Sequence, residues 1–134
     1  MEEKIIMDIY HNYIQAFEKK EYDTINHLCR TPFFGTSPSG TIVFNNSEEL
    51  LSGFTLLRES LDADDYVQSR LNNLTFSKIS DHTSNLLVDF DRINSKGQAY
   101  HNGQAMYIFH NIGGKTIISG VIVLDENTVS FWTD

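Results

Sequence analysis

An α+β fold, with three N-terminal helices packed on a strongly curved antiparallel meander, follows from three features of this chain. Apolar residues recur at helical spacing through the first half. From Tyr66 onward they fall instead in four long strand-like runs. Short, turn-like breaks separate those runs, which forces neighbouring strands to run antiparallel. The 134 residues suit one domain spanning 1–134. A chain of this size buries roughly two-thirds of its unfolded surface. Its 40% hydrophobic and 12% aromatic content is ordinary for a globular protein.

The first element is a helix. Ile5, Ile9, Tyr13 and Phe17 recur at four-residue spacing with Ile6, Tyr10 and Ile14 beside them, a broad apolar stripe that the charges from Glu18 to Glu21 close. A short second helix follows. Asp23 can cap it, Ile25, Leu28 and Cys29 point inward, and Pro32 is expected to end it, because the residue before proline avoids helical angles. "TPFFGTSPSGTIVF", Thr31 to Phe44, holds a turn signal at Ser37–Gly40 and then a short apolar run. Loops are usually polar, so the paired Phe33 and Phe34 raise the question of what they cover.

A third helix starts at "NNSEELL". Asn46 or Ser47 caps it, Glu48 and Glu49 sit at the positive end of its dipole, and Leu50, Phe54, Leu57 and Leu61 form its buried stripe. Gly53 weakens that helix by roughly 1 kcal/mol relative to alanine. "DADD", Asp62 to Asp65, reads as a solvated acidic loop. The strand runs are Tyr66–Ile79, Ser84–Ile93, Ala99–Ile112 and Lys115–Leu124, broken at "SDHT", "NSKG" and "GG". Gly113-Gly114 suits a two-residue hairpin, which needs positive φ. Gly103 and Gly120 are natural bend points in so long a sheet. The tail "TVSFWTD" carries the only tryptophan, Trp132, and an apolar tail is expected to dock.

Counting back from Gly113-Gly114 sets Phe109 opposite Ile118, Tyr107 opposite Gly120 and Ala105 opposite Ile122. The face toward the helices then holds Ala105, Tyr107, Phe109, Ile118, Ile122 and Leu124, joined by Leu86, Val88 and Phe90. The opposite face holds Met106, Ile108, Ile117, Val121, Val123 and Leu87, with Asp89, Asp91, Asn102 and Gln104 toward one end. A one-sided sheet should be polar there. Its apolar centre predicts a partner, and the simplest one is a second copy in a symmetric homodimer. The alternative is that the C-terminal tail folds over it.

Composition also excludes function classes. Ten basic residues against eighteen acidic ones give a net charge of −8, with no cationic cluster beyond Lys19-Lys20. That argues against nucleic acid and anionic membrane surfaces as partners. The lone Cys29 allows no intramolecular disulfide and no cysteine zinc site. The five histidines form no HxH, HxxxH or HExxH spacing, so no metal site is expected. The opening Met1-Glu2-Glu3-Lys4 does not read as a signal peptide, and no apolar run reaches membrane-spanning length, so a cytoplasmic location is expected.

The order of elements resembles the nuclear transport factor 2-like superfamily, which includes ketosteroid isomerase and polyketide cyclase-like proteins. "YHNYIQAFEKKEYDTINHLC" is similar to that group's helix, acidic junction and short second helix. "PFFGTSPSGTIVFNNSEELLSGF" resembles its proline, turn, strand and third helix, and "GQAYHNGQAMYIFHNIGGKTIISGVIV" its last hairpin, with Tyr107 at the usual tyrosine position. The chain departs from the pattern at Thr116, where family members often carry a tryptophan. The resemblance implies a cone with a pocket open at one end, with Phe33 and Phe34 lining that cavity or its mouth. No cofactor is expected.

Tyr13, Phe17, Phe34, Phe54, Phe90, His101 and Tyr107 are the expected lining, taking a small apolar or aromatic molecule. Cofactor-independent acid–base chemistry, as in an isomerase, dehydratase or cyclase, would need a base in an apolar pocket and a hydrogen-bond donor. Tyr13 and Tyr107 can donate. The base has only weaker candidates: His101, which reads first as a hydrogen-bonded rim histidine, a dyad of His101 with Glu126, or the Asp89/Asp91 pair, which the pairing turns outward. Arg92 faces inward beside the His101 strand, either to meet an acidic ligand or to emerge at the sheet edge. A third reading is a protein-interaction module acting through the outer sheet face.

Overall fold

The computed structural model describes residues 2–125. Helix α1 (Glu3–Glu18) buries Ile6, Tyr10, Tyr13, Ala16 and Phe17. The buried stripe is rotated toward Ile6 and Tyr10, leaving Ile5 44% exposed. Helix α2 (Tyr22–Leu28) has Glu21 at its N-cap with no side-chain cap, and Asp23 sits in its first turn. It stops at Leu28. Pro32 does not end the helix but lies inside strand β1 (Cys29–Ser37), after a cis Thr31–Pro32 peptide.

β1 turns through Pro38-Ser39 into β2 (Gly40–Phe44). Helix α3 (Ser47–Ser60) starts with a capping box. Asn46 Oδ1 accepts the Glu49 amide at 2.9 Å, and Glu49 Oε1 accepts the Asn45 amide at 3.0 Å. Both glutamates lie in the first turn, where the helix dipole favours them. Gly53 is explained by packing, since a Cβ there would lie 2.2 Å from the Phe44 ring. The acidic stretch after α3 forms a single 3-10 turn, Leu61–Asp64.

Strands β3 (Tyr66–Lys78), β4 (Thr83–Asn94), β5 (Ala99–Ile112) and β6 (Lys115–Val123) form the expected antiparallel meander. Ile112 pairs with Lys115 across Gly113-Gly114, both at positive φ. The sheet is larger than that meander. Its order is β2-β1-β6-β5-β4-β3, and β1 joins β6 in parallel. The parallel pairing is possible because the whole meander intervenes between the two strands. Three helices on this curved, mixed six-stranded sheet make the α+β cone.

The β5–β6 register holds as expected only near the turn. Phe109 pairs with Ile118, but the ladder slips before Ile108, which pairs with Gly120. One extra residue on β6, Ser119, reverses every later side chain. Val121 therefore pairs with Tyr107 and is buried in the core, and Val123 pairs with Ala105 and packs against it. Ile122 turns outward beside Met106. Val121 and Val123 thus leave the outer apolar face, and Ile122 joins it.

The core lies between the concave sheet face and the helices. Phe33, Phe54, Phe109, Leu86 and Ile118 are fully buried in it. Phe54 meets Phe33 and Tyr13 edge-on, with ring centroids 5.7 Å and 6.0 Å away. A cation also lies at its edge. Arg58 is 5% exposed; its Nε donates to the Phe17 carbonyl, Nη2 to the Glu18 carbonyl and Nη1 to Asp62, each at 3.0 Å. Its guanidinium also stacks over Tyr66, 4.8 Å from the ring centre. It so satisfies the terminal carbonyls of α1 that a helix end leaves open. Glu2 occupies the N-cap position of α1 without a side-chain cap; the tail with Trp132, and Glu126 as the expected partner of His101, lie outside the described residues.

Candidate functional site

The concave face of the cone holds a narrow cleft lined by Tyr10, Tyr13, Ile14, Phe17, Leu57, Ser69, Phe90, Arg92 and Tyr107. Five elements, α1, α3, β3, β4 and β5, aim these side chains. Tyr10, Tyr13 and Phe17 come from α1 at spacings of three and four, which puts them on one face. Phe90 and Arg92 are two apart on β4, and Ser69 stands opposite Arg92 on β3. Tyr107 rises from β5 beneath α1.

Tyr107 sits between the two helix tyrosines. Its ring centroid lies 5.0 Å from that of Tyr10 and 5.3 Å from that of Tyr13, and its hydroxyl hydrogen-bonds with both. Burial, then the neighbouring Tyr107, holds the Tyr10 and Tyr13 hydroxyls well above the ordinary phenol range. Burial raises Tyr107 as well, against hydrogen bonding from Tyr13 and the charge of Arg92. These groups are neutral hydrogen-bond donors and acceptors at ordinary pH, not bases.

The other end of the cleft is polar. The Arg92 guanidinium lies 5.6 Å from the centre of the Phe90 ring, and no described residue gives it a hydrogen bond or ion pair. Next to it, burial raises the Tyr100 hydroxyl, the Arg92 charge opposes that, and the buried oxygen finds no hydrogen-bond partner among the described residues. Gly103 is what lets Phe90 lie flat on the sheet, since a Cβ there would come within 2.5 Å of the ring. The cleft encloses only about 50 Å³, against roughly 30 Å³ per water. Its own aromatic rings fill most of the cone.

Of the seven residues expected from sequence, Tyr13, Phe17, Phe90 and Tyr107 line this cleft. Phe54 stands one layer behind Tyr13 in the core. His101 pairs with Arg92 across β4 and β5, and its Nε2 lies 3.3 Å from Asp125 Oδ2. Phe34 is not in the cleft. It pairs with Gly120, opposite the outward-facing Ile108, and its ring covers Gly120 on the convex face. Adjacent strand residues point to opposite faces, so only Phe33 could face inward, and it is core. Asp89 and Asp91 are also on the convex face. Asn102 and then Asn72 draw the Asp89 carboxyl below its usual range, and Asn102 and then Arg70 do the same for Asp91. Tyr10 and Ser69 are lining residues that the sequence reasoning passed over. Tyr10 was visible in the helical stripe, whereas the slips in the β3 ladder hid Ser69.

Among the described residues no His, Cys, Asp and Glu grouping could hold a metal ion, and no helix is long and apolar enough to cross a membrane.

The family model described as NTF2-like protein (DUF6841) matches residues 2–126. No curated protein matches the chain. Among solved structures, a protein of unknown function with a cystatin-like fold from Nostoc punctiforme is 13% identical, with 92% of this chain and 91% of that one covered and a TM-score of 0.72. An NTF2-like protein of unknown function from Pseudomonas putida is 8% identical over 97% of this chain and 90% of its own, with a TM-score of 0.75. One from Shewanella oneidensis is 11% identical over 90% and 96%, with a TM-score of 0.68. At these identities the likeness shows the fold.

Proposed function

The chain belongs to the NTF2-like family that this model describes, and on that premise we propose that it binds a small aromatic molecule bearing an acidic group in the cleft beneath α1. The observation that carries this reading is Arg92. A half-buried guanidinium without an anionic partner among the described residues, next to five aromatic rings, matches an aromatic carboxylate better than a neutral hydrocarbon. The tyrosine hydroxyls can meet further polar groups on the ring. A ligand of that size enters only if Phe90 and Arg92, both half-buried, swing toward the mouth.

Binding without turnover fits the cleft better than acid–base catalysis. Among the described residues no carboxylate or imidazole lines it. The one observation that favours an enzyme is the His101–Asp125 pair beside Arg92. It would need a substrate that reaches past the guanidinium.

Calorimetric titration with 2-naphthoate and with neutral 2-naphthol tests the reading. The acid should bind more tightly. Arg92→Leu should remove that preference, since a charge-assisted hydrogen bond contributes about 1.5–3 kcal/mol, a roughly ten- to hundredfold change in Kd. Equal binding of the two compounds, or an indifferent Arg92→Leu, would contradict it.

A second copy of this chain is the partner proposed for the convex face. Phe34, Leu87, Met106, Ile108 and Ile122, all half-buried, form its apolar centre, and no helix among the described residues covers it.

A further inference from the structure

Independently of the cleft, we infer that the edge strand β2 and the groove between it and α3 form a docking site for an extended, basic peptide segment that adds to the sheet as a seventh strand.

The two edges of the sheet are built differently. β3, at one edge, is interrupted by two register slips and carries Gln68, Arg70, Asn72 and Lys78. Bulges and charges of this kind blunt an edge against pairing. β2, at the other edge, keeps an unbroken register from Gly40 to Phe44 and carries no charge. Its two-residue turn makes Ser37 and Gly40 the closing pair. Counting along an antiparallel ladder from that pair, Thr41 and Val43 turn their backbone amide and carbonyl away from β1. Both residues are exposed, Val43 to 47%.

Beside that edge lies a groove of about 530 Å³, ten times the cleft volume, lined by the apolar Ile42, Val43, Phe44 and Leu56, by Ser52 and Gly53, and by the polar Asn46, Glu48 and Glu49. Leu56 is 67% exposed. Gly53 lets the Phe44 ring pack against α3 under the groove, since a Cβ there would lie 2.2 Å from that ring. A strand added to β2 would present alternate side chains to this apolar floor.

Charge selects the occupant. The groove lining holds two glutamates and no lysine or arginine. Glu49 is engaged by the amides of Asn45 and the side chain of Asn46, whereas Glu48 stands exposed in the same helical turn. A second acidic copy of this chain would bring its own Glu48 and Glu49 near these. A segment with an apolar residue flanked by lysine or arginine complements the site.

The test uses the whole chain, labelled with ¹⁵N, and two capped peptides, Lys-Val-Thr-Val-Lys and the same peptide with glutamate for lysine. The basic peptide should shift the amide resonances of Thr41, Val43, Ser52 and Leu56, bind about tenfold more tightly than the acidic one and weaken with added salt. Glu48→Lys, an exposed change that leaves the fold intact, should reverse the preference. Three results would overturn the inference. The peptides could leave β2 unperturbed at millimolar concentration. They could bind there without regard to charge. Or β2 could be occupied by a second copy, seen as a dimer that survives Ile108→Lys but dissociates with Val43→Lys.

Discussion

At the scale of single residues, the side chains that matter most were partly hidden by their type. Arg58 reads as a surface residue of α3, yet it is buried against two α1 carbonyls and Asp62. Arg58→Met should cost about 2–4 kcal/mol in chemical denaturation, because two buried carbonyls lose their donors; a loss below 1 kcal/mol would show that water satisfies them. Phe54→Ala should cost about 3–5 kcal/mol. The glycines are informative in the same way. A Cβ at Gly120 would lie 2.3 Å from the Phe34 ring. Gly120→Ala should therefore destabilise the protein, and adding Phe34→Ala should recover part of the loss. A double-mutant cycle in urea reads this coupling directly. Additive effects would place Phe34 elsewhere. Sequence could show that Phe33 and Phe34 are unusual for a loop. It could not show that they belong to a strand, where neighbours point apart.

At the scale of elements, helices were the more legible. The four-residue stripe and the Asn46-to-Glu49 box located α1 and α3 because both signals are local. Strand register was less legible, because one unpaired residue such as Ser119 reverses everything beyond it and has no local signature. The addition of β1 and β2 to the sheet was invisible for a related reason: the parallel pairing of β1 with β6 joins residues as far apart as Phe34 and Gly120, across the whole meander. The tyrosines of α1, β3 and β5 make this layer sensitive to alkali. Tyr66 is pushed up to about 12, mainly by burial, and Tyr10, Tyr13 and Tyr107 are also raised. These phenols lose their protons more readily in the unfolded chain. Their stabilisation is thus complete below about pH 10 and is lost as pH rises toward 12. Urea midpoints should fall steeply over that window, and less steeply in Tyr66→Phe. A flat profile from pH 9 to 12 would contradict the burial of these hydroxyls.

At the scale of the whole molecule, the cone is present but nearly full. Sequence identified Tyr13, Phe17, Phe90 and Tyr107 because the α1 stripe and the alternation along β4 and β5 put them on the concave side. It could not give the volume, which depends on how the rings interleave. The convex face, with Ile108 near its centre, should bring two copies together. Sedimentation should give twice the mass of 15.3 kDa for the native chain and a monomer for Ile108→Lys. A native monomer would remove that proposal and leave the cleft untouched.

The measurement that bears most directly on the central claim is a crystal structure of the protein with 2-naphthoate. The ring should lie against Tyr13 and Phe90, with the carboxylate paired to Arg92 and the Phe90 ring displaced toward the mouth. A ligand found elsewhere, or a cleft still closed under saturating naphthoate, would contradict a binding function for this site.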